Sequence, residues 1–96
     1  MPWHIYILLC EQKTYYVGLT SNLNKRIESH KNKENIATKK FSEVILVYSE
    51  NFKTRKEAEL RETQLKKWSS AKKKALIDGN KELLIKLSKS LSVVED

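Results

Sequence analysis

Two strand-length apolar runs near the start of the chain constrain its fold more than any other feature. Residues 4–10 read HIYILLC and residues 14–20 read TYYVGLT, with three polar residues between them. Both runs are rich in β-branched and aromatic side chains, and a short polar break between two such runs is typical of a β-hairpin. The chain is therefore predicted to begin with two antiparallel strands.

The next two segments predict a helix and a third strand. Ser21 or Asn22 can cap a helix over residues 23–31, in which Leu23 and Ile27 lie four apart on one stripe. Residues 32–42 are polar and lysine-rich without periodicity, which indicates a loop. Residues 43–50 (EVILVYSE) are apolar on both alternating faces, so they predict a strand that is covered on both sides.

The remainder of the chain has helical signals. Thr54 and Glu57 fit a capping box that starts a helix to about residue 68, with Ala58 and Leu65 on its inner stripe. Two more helices are predicted, one capped by Ser69 or Ser70 and ended by Gly79, the other capped by Asn80. The order β-β-α-β-α-α-α predicts an α+β fold, with residues 1–91 as a single domain and residues 92–96 as a frayed tail.

The charge of the chain indicates a polyanionic partner. The 96 residues carry 19 Lys and Arg against 12 Asp and Glu, for a net charge of +7. Residues 63–89 hold eight lysines and two acidic side chains, so the excess is concentrated there. Such a basic segment suits a nucleic-acid backbone, where phosphate contacts give affinity without reading bases. A solvated lysine-rich surface remains the alternative interpretation.

Composition excludes several classes of protein and site. No apolar run approaches the roughly 20 residues of a membrane span, and no signal peptide is visible at the N-terminus. One cysteine and two histidines cannot form a structural zinc site, and two glycines cannot form a glycine-rich phosphate loop. A lone Cys10 calls for no oxidising compartment and suits an inert apolar role, so a cytoplasmic protein is expected.

Five polar side chains lie on elements that should pack together. Tyr6 and Tyr16 come from the two hairpin strands, Arg26 and His30 lie four apart on the first helix, and Glu62 lies on or beside the inner face of the second. Arg26 is one of only three arginines among 19 basic residues. Because lysine supplies the surface charge elsewhere, this arginine is a candidate for a geometric task.

In order and spacing these residues resemble the GIY-YIG nuclease superfamily. The resemblance is closest to its small stand-alone bacterial members, and more distant to the N-terminal domain of the excinuclease C subunit. It covers roughly residues 3–78, and its motifs are His4-Ile5-Tyr6, Tyr16-Val17-Gly18, Asn22-Leu23, Arg26 with His30, and Glu62 before Gln64-Leu65-Lys66. It implies a three-stranded antiparallel sheet flanked by helices, and metal-dependent hydrolysis of nucleic-acid phosphodiesters. DNA is the expected substrate, with repair or recombination as the setting and Mg²⁺ or Mn²⁺ as the metal.

The resemblance also implies a role for each residue. Tyr16 matches the general base, Tyr6 the tyrosine that positions water or phosphate, Arg26 the arginine that stabilises phosphate charge, and Glu62 the metal-binding carboxylate. His30 is a candidate for proton transfer or phosphate binding. The lysines expected to hold the nucleic-acid backbone are Lys66, Lys67, Lys72, Lys73 and Lys74.

Two departures from the family pattern affect these expectations. His4 replaces the glycine of the first motif, which performs no chemistry. Leu19 stands where the excinuclease domain has a lysine, so one phosphate contact is missing.

Each assignment has a structural alternative. The tyrosines can simply pack in the core, Arg26 can pair with Glu28, and His30 can be a solvated surface residue. Glu62 can pair with Arg61 or Lys66 along its own helix. At the level of function, the alternatives are a non-catalytic nucleic-acid binding module and a protein-interaction domain. No domain for target recognition is found after the motifs, so the expectation is that the chain either recognises nucleic-acid structure or relies on a protein partner for targeting.

Overall fold

Three strands and four helices follow one another in the order predicted from the sequence. The computed structural model describes residues 2–33, 38 and 40–87. The elements are β1 (Trp3–Cys10), β2 (Thr14–Thr20), α1 (Leu23–Lys31), β3 (Val44–Phe52), α2 (Arg55–Lys66), α3 (Ser70–Ile77) and α4, described over 81–87. The predicted α+β class is therefore confirmed. The predicted tail over 92–96 lies outside the described residues, and the single-domain boundary at residue 91 stays a prediction.

The sheet is antiparallel with strand order β2-β1-β3, so the first strand is central. Glu11 and Gln12 make the hairpin turn with φ of 51° and 60°. These left-handed values match the turns whose twist suits a hairpin. Lys13 N–H donates to the Cys10 carbonyl across the turn at 3.2 Å. In this register Tyr6 lies opposite Gly18 and Leu8 opposite Tyr16.

Alternation along β1 divides the core between the two faces of the sheet. Ile5 and Ile7 are fully buried against Ala58 and Leu65 of α2. The residues between and beyond them, which include Tyr6 and the buried Cys10, point to the opposite face, where Leu23 and Ile27 of α1 pack. Since successive side chains of a strand alternate sides, the central strand is covered on both faces and both of its side-chain rows are buried.

The third strand differs from its predicted environment. It was expected over residues 43–50 with cover on both faces, but β3 runs from Val44 to Phe52 at the edge of the sheet, where Ile45 is 45% and Leu46 38% exposed. The physical reason is its place in the sheet: β1 is the middle strand with a paired strand on each side, whereas β3 pairs with β1 alone and the helices that contact it leave part of it exposed. A register shift opposite Ile7 and Leu8 adds a local bulge.

The predicted helix caps are confirmed. The Asn22 side chain accepts from the Lys25 N–H. Thr54 Oγ1 accepts from the Glu57 N–H, as a capping box requires, and donates to the carboxylate of Glu57. The Ser69 side chain caps α3, and Asn80 Oδ1 accepts from the Leu83 N–H at the start of α4. After α3, Gly79 has φ +71°, the left-handed value that favours glycine. No helix within the described residues is long and apolar enough to cross a membrane.

Candidate active site

The two motif tyrosines lie side by side on the α1 face of the sheet. Their ring centroids are 6.3 Å apart with the planes tilted by 43°. Tyr6 on the central strand is fully buried, whereas Tyr16 on the edge strand is partly exposed. Only Tyr16 of the pair therefore combines partial solvent access with a position beside the other site residues.

Gly18 makes room for the Tyr6 ring. The ring lies across the backbone of β2 at this position, where an added Cβ would overlap Cζ and Oη of Tyr6 and come within 2.8 Å of Cε1. The sequence motif that contains this glycine thus has a steric reason, because any side chain at position 18 would displace the neighbouring tyrosine.

His30 completes an aromatic group with the tyrosines. It is fully buried, with its ring centroid 5.7 Å from that of Tyr6 and 5.3 Å from that of Tyr16. Its Nε2 lies 2.9 Å from the Tyr6 hydroxyl, and its Nδ1 lies 2.6 Å from Oγ1 of the buried Thr38. The alternative of a solvated surface histidine is therefore wrong. Thr38 was missed from sequence because it lies in a segment without periodicity.

Burial controls the protonation of these groups. It raises the pKa of Tyr6 to about 12; the neighbouring Tyr16 and Glu62 reinforce this, and the nearby charge of Arg26 opposes it. Burial also lowers the pKa of His30, and the charge of Arg26 acts in the same direction. Near neutral pH, Tyr6 therefore keeps its proton and His30 is uncharged.

Arg26 extends the site toward solvent. It is half-buried on α1, close enough to Tyr6 to affect the pKa of that hydroxyl. It also lines an open groove of about 420 Å³ at the start of α1. The lining is polar and basic: Thr20, Ser21, Asn22, Lys25, Arg26 and Ser29. Sequence reasoning missed Lys25, although its position next to Arg26 was a usable signal.

Glu62 approaches from α2, the helix that packs on the opposite face of the sheet. Its side chain is 19% exposed, and its charge raises the pKa of Tyr6, so it interacts electrostatically with the tyrosine site. Its carboxylate lies 3.7 Å from Lys66 Nζ, whereas Arg61 pairs with Glu50. Of the two structural alternatives for Glu62, the structure therefore shows a loose pair with Lys66.

The donor set fits only one kind of metal binding. Among the described residues, no group of three or more His, Cys, Asp or Glu side chains comes together as a metal cluster. A single, mostly buried carboxylate suits a hydrated Mg²⁺ that keeps several waters and takes substrate phosphate as a further ligand.

The five lysines singled out from the sequence have different environments. Lys66 and Lys67 are exposed at the end of α2. Lys72 is buried with its ammonium 4.2 Å from the centroid of the Trp68 ring, an arrangement that favours packing over phosphate contact. Burial lowers the pKa of Lys73, and Lys74 pairs with Asp78 at 2.8 Å.

Comparison with known proteins agrees with this geometry. Residues 2–75 match the model of the GIY-YIG catalytic domain. The chain is 40% identical over 77 residues to a UPF0213 protein of Clostridium perfringens, covering 79% of this chain and 83% of the relative. It is 34% identical over 82 residues to a UPF0213 protein of Desulfotalea psychrophila, covering 83% of this chain and 74% of the relative.

Two solved structures have the same fold. The solution NMR structure of a UPF0213 protein from Bacillus halodurans aligns with a TM-score of 0.54 at 30% identity, over 81% of this chain and 84% of that one. A solution NMR structure from E. faecalis aligns with a TM-score of 0.57 at 26% identity, over 82% and 85%. The match over residues 2–75 includes both tyrosines, Arg26, His30 and Glu62. Because this match covers most of the chain, the chain belongs to the GIY-YIG family.

Proposed function

We propose that the protein is a metal-dependent endonuclease that hydrolyses phosphodiester bonds of nucleic acid, with DNA as the first candidate substrate. The observation that carries the proposal is the contact of Tyr6, Tyr16 and His30 rings beside Arg26, within the matched GIY-YIG domain. Family membership supports a nuclease-like domain, and the convergence of these groups supports a site for phosphate chemistry.

The burial and charge of each side chain determine its role in the proposed reaction. The guanidinium of Arg26 is permanently charged, and it lies near Tyr6 and lines an open groove, so it neutralises charge on the scissile phosphate. Tyr6, which keeps its proton, orients the attacking water or the phosphate by hydrogen bonding. Tyr16 is the more accessible phenol, and in its deprotonated form it accepts a proton from the water that attacks phosphorus in line. The P–O bond to the leaving oxygen breaks in the same step, and that oxygen takes a proton from solvent.

Glu62 is the residue that would hold the metal. Bound Mg²⁺ or Mn²⁺ supplies a Lewis acid at the phosphate oxygens. The carboxylate must turn from Lys66 to do this, and at 3.7 Å that ion pair is loose enough to be exchanged.

Exposed basic groups near the site bind the nucleic-acid backbone. Lys25 shares the groove with Arg26 and provides a phosphate contact of the kind that Leu19 cannot make. Lys66 and Lys67 extend the basic surface at the end of α2. Such contacts carry no sequence information, so target choice rests on nucleic-acid structure or on a protein partner.

A cleavage panel tests the proposal. Purified protein is incubated with branched, single-stranded and duplex DNA in the presence of Mg²⁺, Mn²⁺ or a chelator. Cleavage that needs metal and falls by at least about 100-fold in Glu62→Gln and Tyr16→Phe is expected, given the size of charge-stabilisation and acid–base terms. Tyr15→Phe is the matched control, because Tyr15 packs on the other face of the sheet.

Three outcomes would reject the mechanism. Cleavage that persists in both variants would mean that other groups perform the chemistry. Salt-sensitive DNA binding without cleavage, retained in Arg26→Ala and independent of metal, would identify a non-catalytic binding module instead. Absence of nucleic-acid affinity at physiological salt would favour a protein-interaction domain.

A further inference from the structure

Thr38 lies outside the sequence motifs, and its buried hydroxyl faces the ring of His30. It is fully buried, and its Oγ1 lies 2.6 Å from His30 Nδ1. The opposite ring nitrogen, Nε2, lies 2.9 Å from the Tyr6 hydroxyl. His30 thus connects Thr38 to Tyr6 through two hydrogen bonds, both in the protein interior.

The donors and acceptors around Tyr6 decide which nitrogen of His30 is protonated. Burial and the charge of Arg26 disfavour the imidazolium, so the ring carries a single N–H. Within the described residues, the hydrogen bond that the structure gives the buried Tyr6 hydroxyl is the one to His30 Nε2. The proton of Tyr6 then needs an acceptor, and Nε2 of His30 is placed to be that acceptor. The ring proton must therefore be on Nδ1, where Thr38 accepts it.

We propose that Thr38 is a positioning residue that holds His30 in its Nδ1–H tautomer and thereby fixes the direction of the Tyr6 hydroxyl. Because the Tyr6 hydroxyl donates its hydrogen bond to His30, the lone pairs of its oxygen face Arg26 and the groove. Without the Thr38 hydroxyl, Nδ1–H would be buried without an acceptor, so the ring would gain from moving its proton to Nε2. Tyr6 would then have to accept from His30, and its own proton would point elsewhere.

The structural part of this inference is independent of activity, whereas its catalytic consequence rests on the proposed endonuclease function. Imidazole nitrogens are observed in ¹⁵N-labelled protein by long-range ¹H–¹⁵N NMR, which distinguishes protonated from bare ring nitrogens. His30 is expected to show a protonated Nδ1 and a bare Nε2. The other histidine, His4, bonds Asn51 Oδ1 through its own Nδ1 at 2.6 Å and serves as an internal reference.

Two substitutions separate the hydroxyl from the packing. Thr38→Val keeps the shape and removes the hydroxyl, and it is expected to shift His30 toward the Nε2–H tautomer while His4 is unchanged. Thr38→Ser keeps the hydroxyl and is expected to retain the wild-type tautomer. Circular dichroism verifies that each variant is folded. A bare Nδ1 in the wild type, or an unchanged His30 in folded Thr38→Val, would overturn the proposal.

Cleavage kinetics test the consequence for the reaction. If the wild type cleaves DNA, Thr38→Val is expected to lower kcat about tenfold with little change in KM, and Thr38→Ser is expected to restore it. Equal kcat in Thr38→Val and wild type would refute the positioning role. If the wild type does not cleave, the proposed function fails, yet the NMR result still decides the tautomer. If Thr38→Val does not fold, the spectra of the wild type and of Thr38→Ser decide the tautomer of His30 by themselves.

Discussion

Replacing Gly18 by alanine should damage the site and the core together. The new methyl group would overlap Cζ and Oη of Tyr6, so the ring must tilt and its hydroxyl must leave the 2.9 Å hydrogen bond to His30. Forcing a methyl into filled space costs about 1–3 kcal/mol, and exchanging glycine for alanine within a strand returns about 0.5–1 kcal/mol. A net loss near 1 kcal/mol corresponds to a fall of about 4–8 °C in Tm for a domain of this size.

A double-mutant cycle isolates the steric cause. Urea unfolding is measured for Gly18→Ala in the wild type and in Tyr6→Leu, where the aromatic ring is gone. We expect the alanine to be neutral or mildly stabilising in the second background, which gives a coupling of about 1 kcal/mol or more. Equal cost in both backgrounds would refute the argument that position 18 is kept small for Tyr6.

Gly79→Ala is the matched control for this cycle. Gly79 has φ +71° and no other atom within 4 Å of an added Cβ, so only backbone strain is introduced. Its cost of about 1 kcal/mol should be the same with Tyr6 and with Tyr6→Leu, and DNA cleavage should be unchanged. Only Gly18→Ala is expected to reduce cleavage and stability at the same time.

Three further predictions concern charge. Because burial lowers the pKa of His30, the unfolded chain takes up a proton below about pH 6.5 that the folded protein does not. Stability should then fall with decreasing pH by at most about 1.4 kcal/mol per pH unit, and His30→Asn should reduce this slope in urea titrations. Arg61→Lys should lower the free energy of unfolding by about 1–2 kcal/mol, because lysine cannot reproduce the two 3.0 Å bonds from Nε and Nη2 to Glu50. Arg55→Lys, in an exposed pair, should lower it by less than about 0.5 kcal/mol. Equal losses in the two variants would contradict this reasoning. Mg²⁺ at about ten times its Kd should stabilise the wild type by about 1.4 kcal/mol in thermal unfolding and leave Glu62→Gln unchanged; an equal shift in both would exclude Glu62 as the ligand.

Local patterns were sufficient to predict the elements. The hairpin strands and α1 begin and end within one residue of their predicted bounds, since turn chemistry and capping act over a few residues. The placement of Tyr6 and Tyr16 as diagonal neighbours on one face follows from strand alternation combined with a three-residue turn. These parts of the site are encoded by neighbours in sequence.

Long-range packing accounts for what was missed. An apolar run is the same in a central strand and an edge strand, so the exposure of Ile45 and Leu46 depends on sheet order, which the run does not contain. The burial of Lys72 requires Trp68 to lie under its ammonium. Thr38 contacts His30 from an aperiodic segment, and no spacing rule identifies such a contact.

The buried hydrogen-bond chain of Tyr6, His30 and Thr38 has a consequence for how this sequence can evolve. Replacing both partners of a buried hydrogen bond by apolar groups of similar shape is often neutral or stabilising, so selection for folding alone would accept phenylalanine, leucine and valine at these positions. Selection for catalysis would not accept these apolar side chains. A lineage that abandons catalysis but keeps the fold should therefore lose these hydroxyl and imidazole groups first, while an aromatic ring at position 6 and a glycine at position 18 persist as a packing pair.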